Sequence, residues 1–223
     1  MVNQGEQPKH RISVPKYTLG EELINAISHG FGVILGIVAM ILCLVRCSPS
    51  GDAYQVVSSV IFGVTVIILY LMSCLYHALK VNKAKRVFRV IDHCTIFLLI
   101  AGTYTPFSLV ALRPTVGWWV FGIIWATAVL GIVLNAISLK RFAKLSMALY
   151  LIMGWIIIIA YQAMIQAIPG DGMALLVWGG VAYSVGAILY GIGSKKKYFH
   201  SIFHFLCLAG TFLHFLAIYL YVL

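Results

Sequence analysis

The chain has 223 residues, of which 62% are apolar and 10% charged, with a formal net charge of +10 at neutral pH. A soluble domain carries about 25% charged residues, so this deficit excludes an ordinary water-facing globule. The positive balance does not point to nucleic acid, because the basic residues sit in short clusters between long apolar runs, the pattern of loops beside anionic lipid headgroups.

The pattern predicts an all-α polytopic membrane protein. Residues 1–22 are polar and read as a cytoplasmic segment without a secretory signal, so the first apolar run is an uncleaved anchor. Residues 23–223 read as one transmembrane domain of seven helices, at about 23–45, 54–79, 90–112, 118–139, 145–168, 173–192 and 198–223. Each has the roughly 20 residues that cross about 30 Å of hydrocarbon. Gly32-x-x-x-Gly36 and Gly179, Gly180 and Gly186 suit close helix packing. Pro106 predicts a kink in the third helix.

Orientation follows from the basic residues. Lys9, Arg11 and Lys16 precede the first run, and Lys80, Lys83, Lys85, Arg86 and Arg89 join the second to the third. Lys140, Arg141 and Lys144 join the fourth to the fifth, and Lys195, Lys196 and Lys197 join the sixth to the seventh. With seven spans all of these fall on one side, leaving only Arg46 and Arg113 on the other. The positive-inside rule then puts the amino terminus in the cytoplasm and the carboxyl terminus outside, in the cell (inner) membrane. The five cysteines (Cys43, Cys47, Cys74, Cys94 and Cys207) are odd in number and form no CxxC, which argues against a disulfide framework.

Ionisable groups inside a bilayer are costly and mark function by default. On the predicted spans Asp92 is the acid inside a helix, while Glu21 and Glu22 fall before the first one. His77 ends the second helix, Asp92 and His93 start the third, and His200 and His204 start the seventh. Counted from the flanking basic residues at about 1.5 Å per residue, His77, Asp92 and His200 lie about 4.5 Å inside the cytoplasmic boundary and His204 about 10 Å inside. His200 and His204 are four apart and share a helix face, as do Ser73 and His77.

Three imidazoles, His77, His200 and His204, could hold a metal with a fourth tetrahedral position open, the arrangement of catalytic zinc sites. Histidines bonded to one another across helices without metal are the alternative. A nitrogen set with a carboxylate nearby and no cysteine favours Zn2+ over calcium or magnesium. Asp92 is then the candidate proton acceptor or orienting group for water, and Ser73 the candidate hydrogen-bond partner for a ligand or oxyanion. Asn25, His29 and His93 are candidate supports for the ligands, although capping and packing also account for them. His214 reads as an interhelical hydrogen-bonding residue.

Several motifs, taken together and in order, resemble one family. They are Glu21-Glu22-Leu-Ile-Asn25-Ala-Ile-Ser28-His29-Gly30, Ser73-Cys-Leu-Tyr-His77, Asp92-His93-Cys, Ala101-Gly102-Thr103-Tyr104-Thr105-Pro106-Phe107, His200-Ser-Ile-Phe-His204 and Leu213-His214-Phe215. The chain resembles the bacterial hemolysin III proteins, the prokaryotic branch of the progestin and adiponectin receptor family, itself similar to alkaline ceramidases. The resemblance implies zinc on His77, His200 and His204, with Asp92 at the zinc-bound water and Ser73 nearby. It implies a membrane lipid, cleaved at an amide or ester, as substrate, and a link to membrane-lipid homeostasis. A sensor of membrane state held together by structural zinc, and a pore-forming cytolysin, are the other functions considered. A retinal protein is excluded because residues 201–223 contain no lysine. A G-protein-coupled receptor of the usual type has the opposite orientation.

Overall fold

Thr18 starts the first helix. Its hydroxyl accepts from the Glu21 backbone N–H, while the Glu21 carboxylate reaches back to the Thr18 N–H at 2.8 Å, a reciprocal capping box. Helix α1, Leu19–Cys47, therefore begins four residues before the sequence pattern suggests and takes in Glu21 and Glu22. The computed structural model describes residues 14–193 and 196–223. Lys9, Arg11, Lys195 and most of the predicted 1–22 segment lie outside the described residues.

Among the described residues no strand occurs. Six helical stretches of the described residues are long and apolar enough to cross a membrane. After α1 come α2 (Ala53–Ala78), α3 (Lys83–Pro106), α4 (Gly117–Trp155), the short α5 (Tyr161–Ala167), α6 (Gly170–Gly193) and α7 (Phe199–Tyr221). α1 packs against α2 and α7, α2 against α3, α3 against α4, and α6 against α7.

Helix α1 shows why this is a lipid-facing bundle. Its buried face carries Asn25, Ser28, His29, Gly32, Gly36 and Ala39. Its outward face carries Ile27, Phe31, Ile34, Val38 and Ile41, all exposed. The apolar side faces out and the small and polar side faces in, the reverse of a soluble helix. Gly32 is required by packing: a Cβ there would stand 2.6 Å from Cγ of Tyr70 on α2.

Three further features differ from the sequence pattern. Residues 83–89 form the opening turns of α3 instead of a loop, because Asn82 caps the helix by accepting from the Lys85 N–H at 2.9 Å. After Pro106, which has no N–H to continue the ladder, α3 widens into a π-type segment, Phe107–Ala111. The predicted fourth and fifth spans form one helical stretch, Gly117–Ala167, interrupted by extended backbone at Ser138 (φ −164°, ψ 95°). The chain doubles back there. Met153 packs in one cluster with Ile124 and Ala128, which a straight helix would hold tens of ångströms away. The Ser146 hydroxyl donates to Asn135 Oδ1 at 2.6 Å, tying the two arms to each other, and the Tyr150 hydroxyl donates to the His93 carbonyl at 2.7 Å, pinning the fold-back to α3. No separate loop is seen because helical geometry resumes directly after the single broken residue.

Candidate metal centre

Two helices supply three imidazoles. His77 lies in the last turn of α2, and His200 and His204 lie one turn apart at the start of α7. His77 Nε2 is 3.2 Å from His200 Nε2, which is 3.1 Å from His204 Nε2. All three ligand atoms fall within 4.8 Å of one another, with His77 and His204 buried and His200 half-buried. Two nitrogens held tetrahedrally at zinc–nitrogen distances of about 2.0–2.1 Å stand about 3.3–3.4 Å apart, so the spacing fits.

The hydrogen bonding also fits. Glu22 Oε2 lies 2.7 Å from His77 Nδ1. A carboxylate can only accept, so Nδ1 carries the proton and Nε2 presents a lone pair to the centre. His200 Nε2 stands between the lone pair of His77 Nε2 and His204 Nε2. The three side chains can hold a metal ion, which would use every converging lone pair at once.

The other residues singled out in the sequence divide into two groups. Asn25 Nδ2 is 3.4 Å from His77 Nδ1, and its Oδ1 has no partner. Because Nδ1 donates, the amide orientation that turns Oδ1 toward it places a second acceptor beside the Nδ1–H, behind Glu22. The His29 ring stacks on the His204 ring at 3.6 Å between centroids and 13° between planes. Asn25 and His29 thus both touch the triad from α1.

Asp92, Ser73 and His93 line a cavity of about 610 Å³ that also reaches His200 and His204. This lies within the roughly 300–1,000 Å³ range of small-molecule sites. Asp92 is in electrostatic range of both His77 and the Ser73 hydroxyl. The His93 ring is not among the converging ligands and faces Tyr190 at 6.1 Å. The cavity continues away from the triad between α3, α4, α6 and α7, past Thr103, Tyr183 and Trp155, to His214. His214 Nε2 donates to the Leu176 carbonyl at 3.0 Å, joining α7 to α6 as its spacing suggests.

Residues that the sequence pattern did not single out complete the centre. Glu22, placed before the first helix by its polar surroundings, is on α1 and bonded to His77. Its membership could have been read from the helix itself, since Glu22, Asn25 and His29 are spaced three and four apart. Lys85, one of a basic cluster, is 1% exposed and donates to Glu22 at 2.6 Å. Tyr17 stacks on His200 (5.0 Å, 17°) and lines the cavity from the segment before α1. Loss of water around it pushes its phenol above the usual range. Glu21 Oε1 accepts from the Tyr198 N–H at 2.8 Å, where Tyr198 holds a left-handed conformation (φ 63°) just before α7. That contact fixes the entry to the helix carrying His200 and His204.

A bundle of apolar helices around a three-histidine centre and a cavity defines a multi-pass membrane protein with a metal-capable site. The chain matches the family model described as "Haemolysin-III related" over residues 17–215. It is 42% identical to the Hemolysin-3 of Bacillus cereus, covering 91% of this chain and 92% of that protein. It is also 42% identical to the Hemolysin-3 homolog of Bacillus subtilis, covering 92% and 96% respectively. The human "Monocyte to macrophage differentiation factor" is 24% identical over 92% of this chain and 86% of its own. The chain belongs to the hemolysin III family.

Proposed function

We propose that this protein is a zinc-dependent intramembrane hydrolase that cleaves an amide or ester bond of a membrane lipid. The observation that carries the reading is the convergence of His77, His200 and His204 beside a cavity lined by His200, His204, Asp92 and Ser73. Zinc bound by the three imidazoles would polarise a carbonyl and lower the pKa of water. Asp92 takes the proton from the attacking water, and the Ser73 hydroxyl donates to the oxygen on which negative charge develops. The walls between α3, α4, α6 and α7 hold the acyl chain and keep it from bulk water.

In this reading the two arms of the Gly117–Ala167 stretch each cross the bilayer, giving seven spans. The amino terminus is cytoplasmic, the carboxyl terminus is outside, and the membrane is the cell membrane. The supports are the length of that stretch, about 77 Å at 1.5 Å per residue against about 30 Å of hydrocarbon, and the one-sided distribution of Lys and Arg.

The test is release of fatty acid from a panel of lipids by purified zinc-loaded protein. Wild type should release it from at least one lipid, with His77→Ala and Asp92→Ala at least about 100-fold slower. Equal release by all three sinks the reading.

A second reading, a non-enzymatic regulator with structural metal, is favoured by the near-complete burial of His77 (2% exposed) and His204 (1%). It predicts that chelation lowers thermal stability while no lipid is turned over.

A further inference from the structure

We propose that Glu22, clamped by Lys85, is the positioning residue that locks His77 into its Nδ1–H tautomer and aims Nε2 at the centre. The metal consequence rests on the reading above; the tautomer does not. Three helices meet at this carboxylate. Glu22 comes from the first turn of α1, His77 from the last turn of α2, and Lys85 from the first turn of α3. Glu22 uses Oε2 for His77 Nδ1 (2.7 Å) and Oε1 for Lys85 Nζ (2.6 Å).

Lys85 is the revealing member. A lysine near a helix end normally runs its ammonium out to water, and lysines are almost never fully buried unless paired. Here the side chain is 2% exposed, turned inward from a cluster of basic residues. Its ammonium is held by three partners: Glu22, the Leu79 carbonyl at 2.9 Å, and the Tyr76 ring at 5.1 Å. Burying an ion pair is weak evidence for stability, because desolvation offsets attraction. Its effect here is geometric. A glutamate alone has free torsions and would point at His77 only part of the time. Anchored on its second oxygen, it presents Oε2 in one place, and His77 Nδ1–H follows. Carboxylates that orient a metal-binding histidine in this way typically change affinity by about 10–100-fold when removed.

The test uses histidine-selective 15N NMR of the metal-free full-length protein in micelles, together with zinc affinity by chelator competition. In wild type His77 should show a single Nδ1–H tautomer. Glu22→Ala should give mixed tautomers and weaken zinc binding about 10–100-fold. Lys85→Met should move both readouts in the same direction by less. If Glu22→Ala or Lys85→Met does not fold, the isosteric Glu22→Gln should still weaken zinc about tenfold, and unchanged affinity there overturns the proposal. A Glu22→Ala protein that loses thermal stability but keeps the wild-type tautomer overturns it as well, leaving Glu22 a structural residue. A wild-type protein with the Nδ1–H tautomer that binds no zinc removes the metal reading and leaves the Glu22 assignment standing.

Discussion

The two ends of the bundle carry the same kind of ion pair in opposite circumstances. At the triad end, Glu22 and Lys85 are 17% and 2% exposed and lie 2.6 Å apart. At the other end, Asp52 and Arg113 are 28% and 39% exposed and lie 3.3 Å apart, with Arg113 over the Tyr54 ring at 4.4 Å and Tyr54 against Trp118. The exposed pair sits in an aromatic belt of the kind found at membrane interfaces, where water screens it. The buried pair gives up hydration and in return fixes a histidine. Residue type alone does not distinguish the two pairs; burial and the histidine held by Glu22 do.

That comparison can be tested from the strongest effect downward. His204→Ala removes one of two ligands from α7 and should abolish tight zinc binding, measured as metal content after purification. Binding that survives in both His77→Ala and His204→Ala would mean the triad is not the metal site. Lys85→Met leaves a partly buried carboxylate without its cation and should cost about 3 kcal/mol, read by thermal unfolding of the metal-free protein. Arg113→Gln at the opposite end should cost less than about 1 kcal/mol in the same assay. Equal losses at the two ends would erase the distinction drawn between them.

Much of the architecture is legible because lipid imposes simple rules. Uncharged runs long enough to cross hydrocarbon have few alternatives to helix, so the apolar runs matched helical stretches in the structure. His77, His200 and His204 were legible because imidazoles at i and i+4 beside a basic boundary are not needed by an apolar core. Other features were hidden. The start of α1 depends on the Thr18–Glu21 capping box, a local competition that hydropathy does not record. Lys85 looked like its neighbours, since nothing in a run of lysines and arginines tells which one turns inward. The break at Ser138 was marked in the sequence only as a charged interval, while the fold-back rests on Ser146 bonding Asn135 across the two arms and on Asn135 and Tyr150 reaching the His93 carbonyl of α3.

The sequence by itself determined that this chain lives in a membrane, which runs are helical, and which imidazoles could share a metal, because each follows from periodicity and from the cost of polar groups in hydrocarbon. The tertiary structure decided that the three Nε2 atoms meet, that a cavity opens beside them, and that Glu22 and Lys85 hold His77 in place. Those depend on side chains from α1, α2, α3 and α7 arriving within about 3 Å of one another, the range in which a hydrogen bond forms. Spacing along one helix carries no information about distance to the next.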